Sequence, residues 1–254
     1  MTNLSATAPP SPSDRRSIRG DRRLTPHRPP RWGVVASGYL VALAFGAGYS
    51  AFIKSFGDWN SGAPWERALM LAVHARTLPD AVVAVVDAAP WIGTNLTLFP
   101  LAAVLSLWFW RRGRSDLSVW LMVAELGCLT HNYILKHLFE RDRPDLFERV
   151  GWYGWGSYPS GHAMASIAVL GTIALMLLRE RGWRWPLVAV LVVALVNAYG
   201  RIYHGVHWPS DVLAGGVVGL LWLLFTAIAF DGLPRRRSGD QPGAPTRWST
   251  RRVT

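Results

Sequence analysis

Three short clusters carry residue types that act together on a phosphoryl group. The first, KHLFERDRP, sets Lys136 and Arg143 seven residues apart and follows them with Pro144. The second, YPSGH, runs from Tyr158 to His162, and the third, GRIYHGVHWPSD, from Gly200 to Asp211. Lys136, Arg143 and Arg201 supply three positive charges. Arginine offers a planar fork matched to phosphate oxygens, and lysine a point charge. Ser160, Gly161 and His162 open a helix, where backbone amides and the helix dipole favour an anion. Gly161 lacks the side chain that would keep an oxyanion at a distance.

The histidines supply the chemistry. His207 and Asp211 are spaced i, i+4, so on a helical turn they share a face. A carboxylate holding one imidazole nitrogen leaves the other as a strengthened lone pair. Such an imidazole is a competent nucleophile toward phosphorus. His162, beside the anion nest, is placed to protonate the leaving oxygen as a general acid. The three cations offset charge on the equatorial oxygens, which is most of what phosphoryl transfer requires.

Each cluster taken alone has a plainer reading. Lys136 and Arg143 fit snorkelling side chains at a span end. Pro159 and Ser160 fit a helix cap, and His207 with Asp211 fits a satisfied interfacial pair. His204 reads as a supporting or structural residue. Glu125, His131 and Asn132 read as structural pairings inside a helix bundle. Trp152, Tyr153 and Trp155 read as interfacial anchors or head-group contacts. Gly215, Gly216 and Gly219 read as a close helix contact.

The elements that must position these clusters are apolar. The chain has 254 residues, 50% of them hydrophobic, and a net charge of +11, a length that suits one domain. Several apolar runs exceed ~18 residues, enough to cross a bilayer core as helices. The basic balance therefore reads as membrane topology and not as nucleic-acid binding. The pattern predicts an all-α, six-transmembrane-helix bundle, with spans at 32–52, 92–110, 116–138, 161–179, 185–203 and 210–230. One or two short interfacial helices are expected between the first and second spans. Residues 1–31 and 231–254 read as disordered basic tails flanking the domain at 32–230. The arginine pairs in DRRS and DRRL precede a long run without a cleavage site, so that run reads as an anchor and not as an export signal. Cys128, the single cysteine, can make no internal disulfide.

Arginines crowd the amino-terminal tail, the loop at 111–114, the loop at 179–184 and the start of the carboxy-terminal tail. With six spans, all four lie on one side, which the positive-inside rule makes cytoplasmic, both termini included. Lys136, Arg141, Arg143, Arg149 and Arg201 then lie on the outer side, against the rule. Charge that costs so much there calls for a function, and it places the three clusters at an outer-face site.

Together the clusters resemble the signature of the type-2 phosphatidic acid phosphatase family, the lipid phosphate phosphatases. Lys136, Arg143 and Pro144 match its first motif. Pro159, Ser160, Gly161 and His162 match the second. Arg201, His207 and Asp211 match the third, with Gly200 where the family commonly has serine. The resemblance implies a metal-independent phosphatase without cofactor, working through a phosphohistidine on His207, with His162 and Asp211 as its catalytic partners. Lys136, Arg143, Ser160, Gly161 and Arg201 would bind the phosphate. The implied partners are the bilayer of the cell membrane and a lipid phosphate or diphosphate, of polyprenyl diphosphate or phosphatidate type, with no nucleic acid; oligomeric state stays open. The vanadate-dependent haloperoxidases share this pocket but are soluble proteins. Two further readings remain: a lipid-phosphate-binding or transport protein without turnover, and a metallohydrolase using His162, His204, His207 and Asp211. Three cations in the same loops disfavour a bound metal.

Overall fold

A computed structural model describes residues 29–149 and 156–233. The expected tails lie almost wholly outside the described residues, as do Trp152, Tyr153 and Trp155. Among the described residues the structure is helical throughout: α1 (Trp32–Lys54), α2 (Pro64–His74), α3 (Asp80–Gly93), α4 (Asn95–Arg111), α5 (Ser115–Phe139), α6 (Gly161–Arg181), α7 (Trp185–Tyr203) and α8 (Pro209–Ala229). The six expected spans correspond to α1 and α4–α8, and α2 and α3 lie where one or two short helices are expected between the first pair.

Four of these helices, α1, α6, α7 and α8, are long and apolar enough to cross a membrane. A fifth span arises if α3 and α4 count as one, bent by 50° at their junction. At 25 residues α5 is also long enough, at roughly 1.5 Å per residue. Its composition is more polar because it carries Asp116, Glu125, His131, Asn132 and Lys136. Large apolar side chains such as Leu40, Val104, Leu191 and Leu213 point outward, as lipid-facing residues do.

The bend between α3 and α4 has a local cause. Thr94 is extended (φ −82°, ψ 143°), and its hydroxyl accepts from the Leu96 amide to start α4. Gly93, just before it, is pressed into the bundle, where a Cβ would lie 2.7 Å from Ser166 Oγ and 2.8 Å from Asn197 Nδ2. The expectation of α3 as a purely interfacial helix is thus refined: its end reaches the interior of the bundle.

Helices α6 and α8 meet backbone to backbone. Gly219 lies where a Cβ would come within 2.6 Å of the Met164 carbonyl oxygen, and a Cβ at Gly215 would collide with that of Ser160. These two glycines bear out the packing reading. Gly216 does not share it: the nearest atom to its Cβ position is Ile167 Cδ1, at 3.6 Å. Removing side chains lets backbones approach, the usual device where lipid gives no hydrophobic drive between helices. The start of α6 is thereby set against the start of α8, and the second cluster against the third.

The two ends of the bundle differ in character. At one end Arg31 pairs with Asp231 (2.8 Å), Arg114 with Glu180 (2.7 Å) and Arg179 with Asp116 (2.6 Å). Arg179 also donates to the Phe230 carbonyl at 3.2 Å. The described parts of the four arginine-rich segments therefore meet at one end, as the span count requires. The three clusters occupy the other.

Candidate active site

The first cluster begins in the last turn of α5. Glu140 ends that helix in the left-handed region (φ 39°) and sends the chain outward. Lys136 Nζ donates to the Gly156 carbonyl at 2.6 Å, and Arg143 Nη2 reaches the same oxygen at 3.4 Å. Arg143 Nη1 donates to the Val206 carbonyl at 2.6 Å. One arginine thus spans from the approach to the second cluster into the heart of the third.

The second cluster docks on the third through the backbone. The Ser160 amide donates to the Asp211 carbonyl at 2.9 Å. This corrects the expected nest: that amide is engaged, leaving those of Gly161 and His162 to face an anion. Ser160 Oγ is buried and has no hydrogen-bond partner among the described residues, an arrangement that normally awaits one. Asn132 lies behind Gly161, where a Cβ would come 3.1 Å from its Nδ2, and Asn132 itself donates to the Pro159 carbonyl at 3.4 Å.

In the third cluster the Arg201 carbonyl accepts from the Val206 and His207 amides, at 3.2 and 3.3 Å. Gly205, at φ +69°, makes that tight return possible. Gly200 meets α3, where a Cβ would lie 3.2 Å from Val86 Cγ1 and 3.3 Å from the Val86 carbonyl oxygen. That crossing accounts for glycine where the family commonly has serine.

His207 is buried. Its pKa is lowered well below the usual value, first by burial and then by Arg143, Lys136, Arg201 and His162. The ring is therefore neutral, with a lone pair available. Hydrogen bonds tie the three clusters together beside this ring: Lys136 and Arg143 to the Gly156 carbonyl, Arg143 to that of Val206, and the Ser160 amide to that of Asp211. Nδ1 lies 3.7 Å from Asp211 Oδ2, beyond hydrogen-bond length. The expected shared helix face is corrected too. The helix α8 starts only at Pro209, so His207 precedes it and faces Asp211 across the cap. Asp211 Oδ2 accepts from the Trp208 amide at 2.9 Å.

The expectation from sequence omitted the residue that holds Asp211. Arg141 is fully buried. Its Nη1 donates to Asp211 Oδ1 (2.8 Å) and Ser210 Oγ (2.7 Å), its Nη2 to Glu66 Oε2 (2.8 Å) and its Nε to the Trp59 carbonyl (2.8 Å). Its guanidinium carbon lies 4.5 Å from the Trp59 ring centre and 5.3 Å from that of Trp208. Glu66 also accepts from the Ala63 amide and the Ser210 hydroxyl. The available signals are faint: an arginine on the side expected to be the outer one, against the charge rule, and one glutamate four residues from buried Met70 on short α2.

The remaining polar residues sort as follows. His131 has its two ring nitrogens against the Gly127 and Tyr39 carbonyls, at 2.6 and 3.1 Å, so it is structural. Glu125 is buried, and neither oxygen has a hydrogen-bond partner among the described residues, so the expected pairing is absent. His204 Nε2 lies 2.8 Å from Asp87 Oδ1 and its Nδ1 3.4 Å from Arg201 Nη2. Among the described residues, no three or more His, Cys, Asp or Glu side chains are grouped as a metal would require. A cavity of ≈ 540 Å³, lined in part by Arg67, Asp142, Arg143 and Trp208, opens beside the cluster.

The PAP2 superfamily model matches residues 115–234, which span all three clusters. Phosphatidylglycerophosphatase B of Bacillus subtilis is 30% identical over 185 residues, 64% of this chain and 89% of that one. A chain of Escherichia coli provisionally named an undecaprenyl-diphosphatase, YbjG, is 32% identical over 163 residues, 61% of this chain and 78% of that one. The crystal structure of a transmembrane PAP2-type phosphatidylglycerolphosphate phosphatase from Bacillus subtilis superposes with a TM-score of 0.63 at 24% identity. It covers 80% of this chain and 98% of that one.

Proposed function

The chain belongs to the PAP2 superfamily and is a membrane phosphatase, and from that premise we propose that it cleaves lipid phosphates or diphosphates through a phosphohistidine on His207. The carrying observation is the buried His207 ring 3.7 Å from Asp211, in a framework where Arg143 donates to the Val206 carbonyl and the Ser160 amide to the Asp211 carbonyl. With Nδ1 turned toward Asp211, Nε2 is the attacking atom. It forms the N–P bond as the P–O bond to the lipid breaks, and His162 gives the departing oxygen its proton. Water then attacks phosphorus, His162 takes a proton from it, and the N–P bond breaks to release phosphate. The cations and the amides of Gly161 and His162 hold the phosphoryl oxygens throughout. Ser160 Oγ supplies the remaining contact.

Lipids are favoured as substrates because the site lies at one end of a bundle whose flanks are apolar. A tail can stay in the bilayer while its head group enters the polar end. Relatives named for undecaprenyl diphosphate and for phosphatidylglycerophosphate define the substrates to try first. Purified protein is expected to release phosphate from polyprenyl diphosphate, phosphatidate or phosphatidylglycerophosphate in the presence of EDTA. Vanadate, which mimics pentacoordinate phosphorus, is expected to inhibit. Loss of activity in chelator with recovery on adding zinc or magnesium would instead support the metallohydrolase. Vanadate binding without turnover of any of the three lipids would support the binding protein.

The site faces outward and both termini are cytoplasmic in this proposal. Support comes from the pairing of the described arginine-rich segments at the opposite end of the bundle. In a protein with Cys128 replaced by alanine, a membrane-impermeant maleimide on intact cells is expected to label Glu148→Cys and spare Trp183→Cys. Both positions are exposed and lie at opposite ends. The reverse pattern would put the site in the cytoplasm.

A further inference from the structure

His204 is the one histidine of the third cluster that the phosphoryl-transfer scheme leaves unused, and its surroundings are specific. It follows α7 directly and is buried. Its Nε2 lies 2.8 Å from Asp87 Oδ1 on α3, and its Nδ1 lies 3.4 Å from Nη2 of Arg201. A carboxylate can only accept from a ring nitrogen, so Nε2 carries the hydrogen. A guanidinium can only donate, so Nδ1 must be the bare nitrogen. One neutral tautomer satisfies both neighbours. The imidazolium would set a second donor against Arg201. Burial first, and the Arg201 charge also, lower the pKa of His204, while the Asp87 hydrogen bond opposes them.

We propose that Asp87 and His204 form a positioning pair for Arg201. Asp87 fixes the tautomer of His204, and the bare nitrogen steadies one arm of the guanidinium that binds the phosphoryl group. This rests on the phosphatase reading, in which Arg201 binds phosphate. Each contact that narrows the rotamers of a long arginine side chain lowers the entropy lost when it engages phosphate.

Plain scaffolding explains the pair poorly. Asp87 has a side-chain exposure of 56%, so water competes for its carboxylate and the hydrogen bond to the neutral His204 ring adds little net stability. The helix α3 is already held to α7 without it, by Val86 against Gly200 and Gly93 against Asn197. The pair adds little to docking, but it decides which way a catalytic cation points.

The test measures kcat, KM, vanadate binding and thermal midpoint on the purified full-length protein. His204→Leu and Asp87→Leu are expected to weaken vanadate binding and kcat/KM by about tenfold each, the size of one charge-assisted contact. The thermal midpoint should stay close to that of the wild type. His204→Gln offers one donor and one acceptor, and Asp87→Asn keeps an acceptor for Nε2–H, so both should stay within about threefold of wild type. The decisive arm is a cycle with Arg201→Ala, read by vanadate titration. In that background His204→Leu should cost nothing further, because the group it positions is gone. Additive losses in the cycle would overturn the proposal. So would leucine variants that lose thermal midpoint and are not rescued by glutamine or asparagine. If the wild type binds vanadate and turns over lipid while His204→Leu behaves like it, the pair alone is refuted. If the wild type does neither, the phosphatase reading falls as well.

Discussion

His207→Asn should reduce lipid phosphatase turnover on the order of 10⁴-fold or more, the scale set by removing a catalytic nucleophile. Asparagine keeps a polar group of similar bulk at a buried position, so the pocket should persist. Lys136, Arg143 and Arg201 remain, and vanadate should still bind with an affinity reduced by no more than about tenfold. Full activity in this variant would refute His207 as the nucleophile. His162 supplies the contrast. A positioned general acid contributes about 10²–10⁴-fold, but only where the leaving oxygen needs a proton. His162→Gln should therefore cost about 10²-fold or more on a lipid phosphate and far less on p-nitrophenyl phosphate, whose aryl oxide departs unaided. Equal losses on both substrates would contradict the acid role. Phosphate-release assays on the purified variants, with both substrates side by side, make the comparison.

Arg141→Met should be the most damaging change outside the phosphate-contacting residues. Methionine fills similar volume between the Trp59 and Trp208 rings but leaves Glu66 and Asp211 as buried carboxylates without their cation. Removing one partner of a buried pair costs about 3–5 kcal/mol. In detergent this should appear as a fall in thermal midpoint of several degrees or a loss of folded protein. The folded remainder should lose activity, because Asp211 would no longer be held opposite His207. Arg141→Lys should rescue little, since one ammonium cannot span Asp211, Ser210, Glu66 and the Trp59 carbonyl together. The double variant Arg141→Met, Glu66→Gln should recover stability without recovering full activity, because it removes one stranded charge and leaves Asp211 unheld. A wild-type midpoint and wild-type turnover in Arg141→Met would show that the network has neither role.

How much of this was legible in the sequence depended on distance along the chain. The long apolar runs are local signals, and α1, α6, α7 and α8 begin and end within a few residues of where hydropathy puts them. The bent α3–α4 pair was harder, because Pro90 and Gly93 obscure a helix that continues toward the interior. The three clusters were legible because each packs its chemistry into a dozen residues or fewer. Their internal geometry was less so. The i, i+4 spacing of His207 and Asp211 suggested a helix face, whereas Pro209 starts the helix between them. The supports were hardest of all. Nothing near Arg141 names Glu66, and nothing near Arg201 names Asp87. Such pairs exist only after distant helices have packed, and a single sequence has no local mark for them.

The Arg141 network also says something about the order in which the molecule is made. Glu66 and Arg141 are 75 residues apart, and Arg141 and Asp211 a further 70. A ribosome releases the glutamate long before the arginine, and the arginine long before the aspartate. Glu66 and Arg141 balance each other and can pair once α5 is made. Asp211 comes last and brings a second carboxylate to the same guanidinium, a charge that is least costly to bury when the arginine is already in place. The network at this end of the bundle is therefore completed last. A chain stalled or cut before Asp211 keeps a matched pair there, whereas the finished one sets two carboxylates about one arginine, a built-in difference between an unfinished molecule and a finished one.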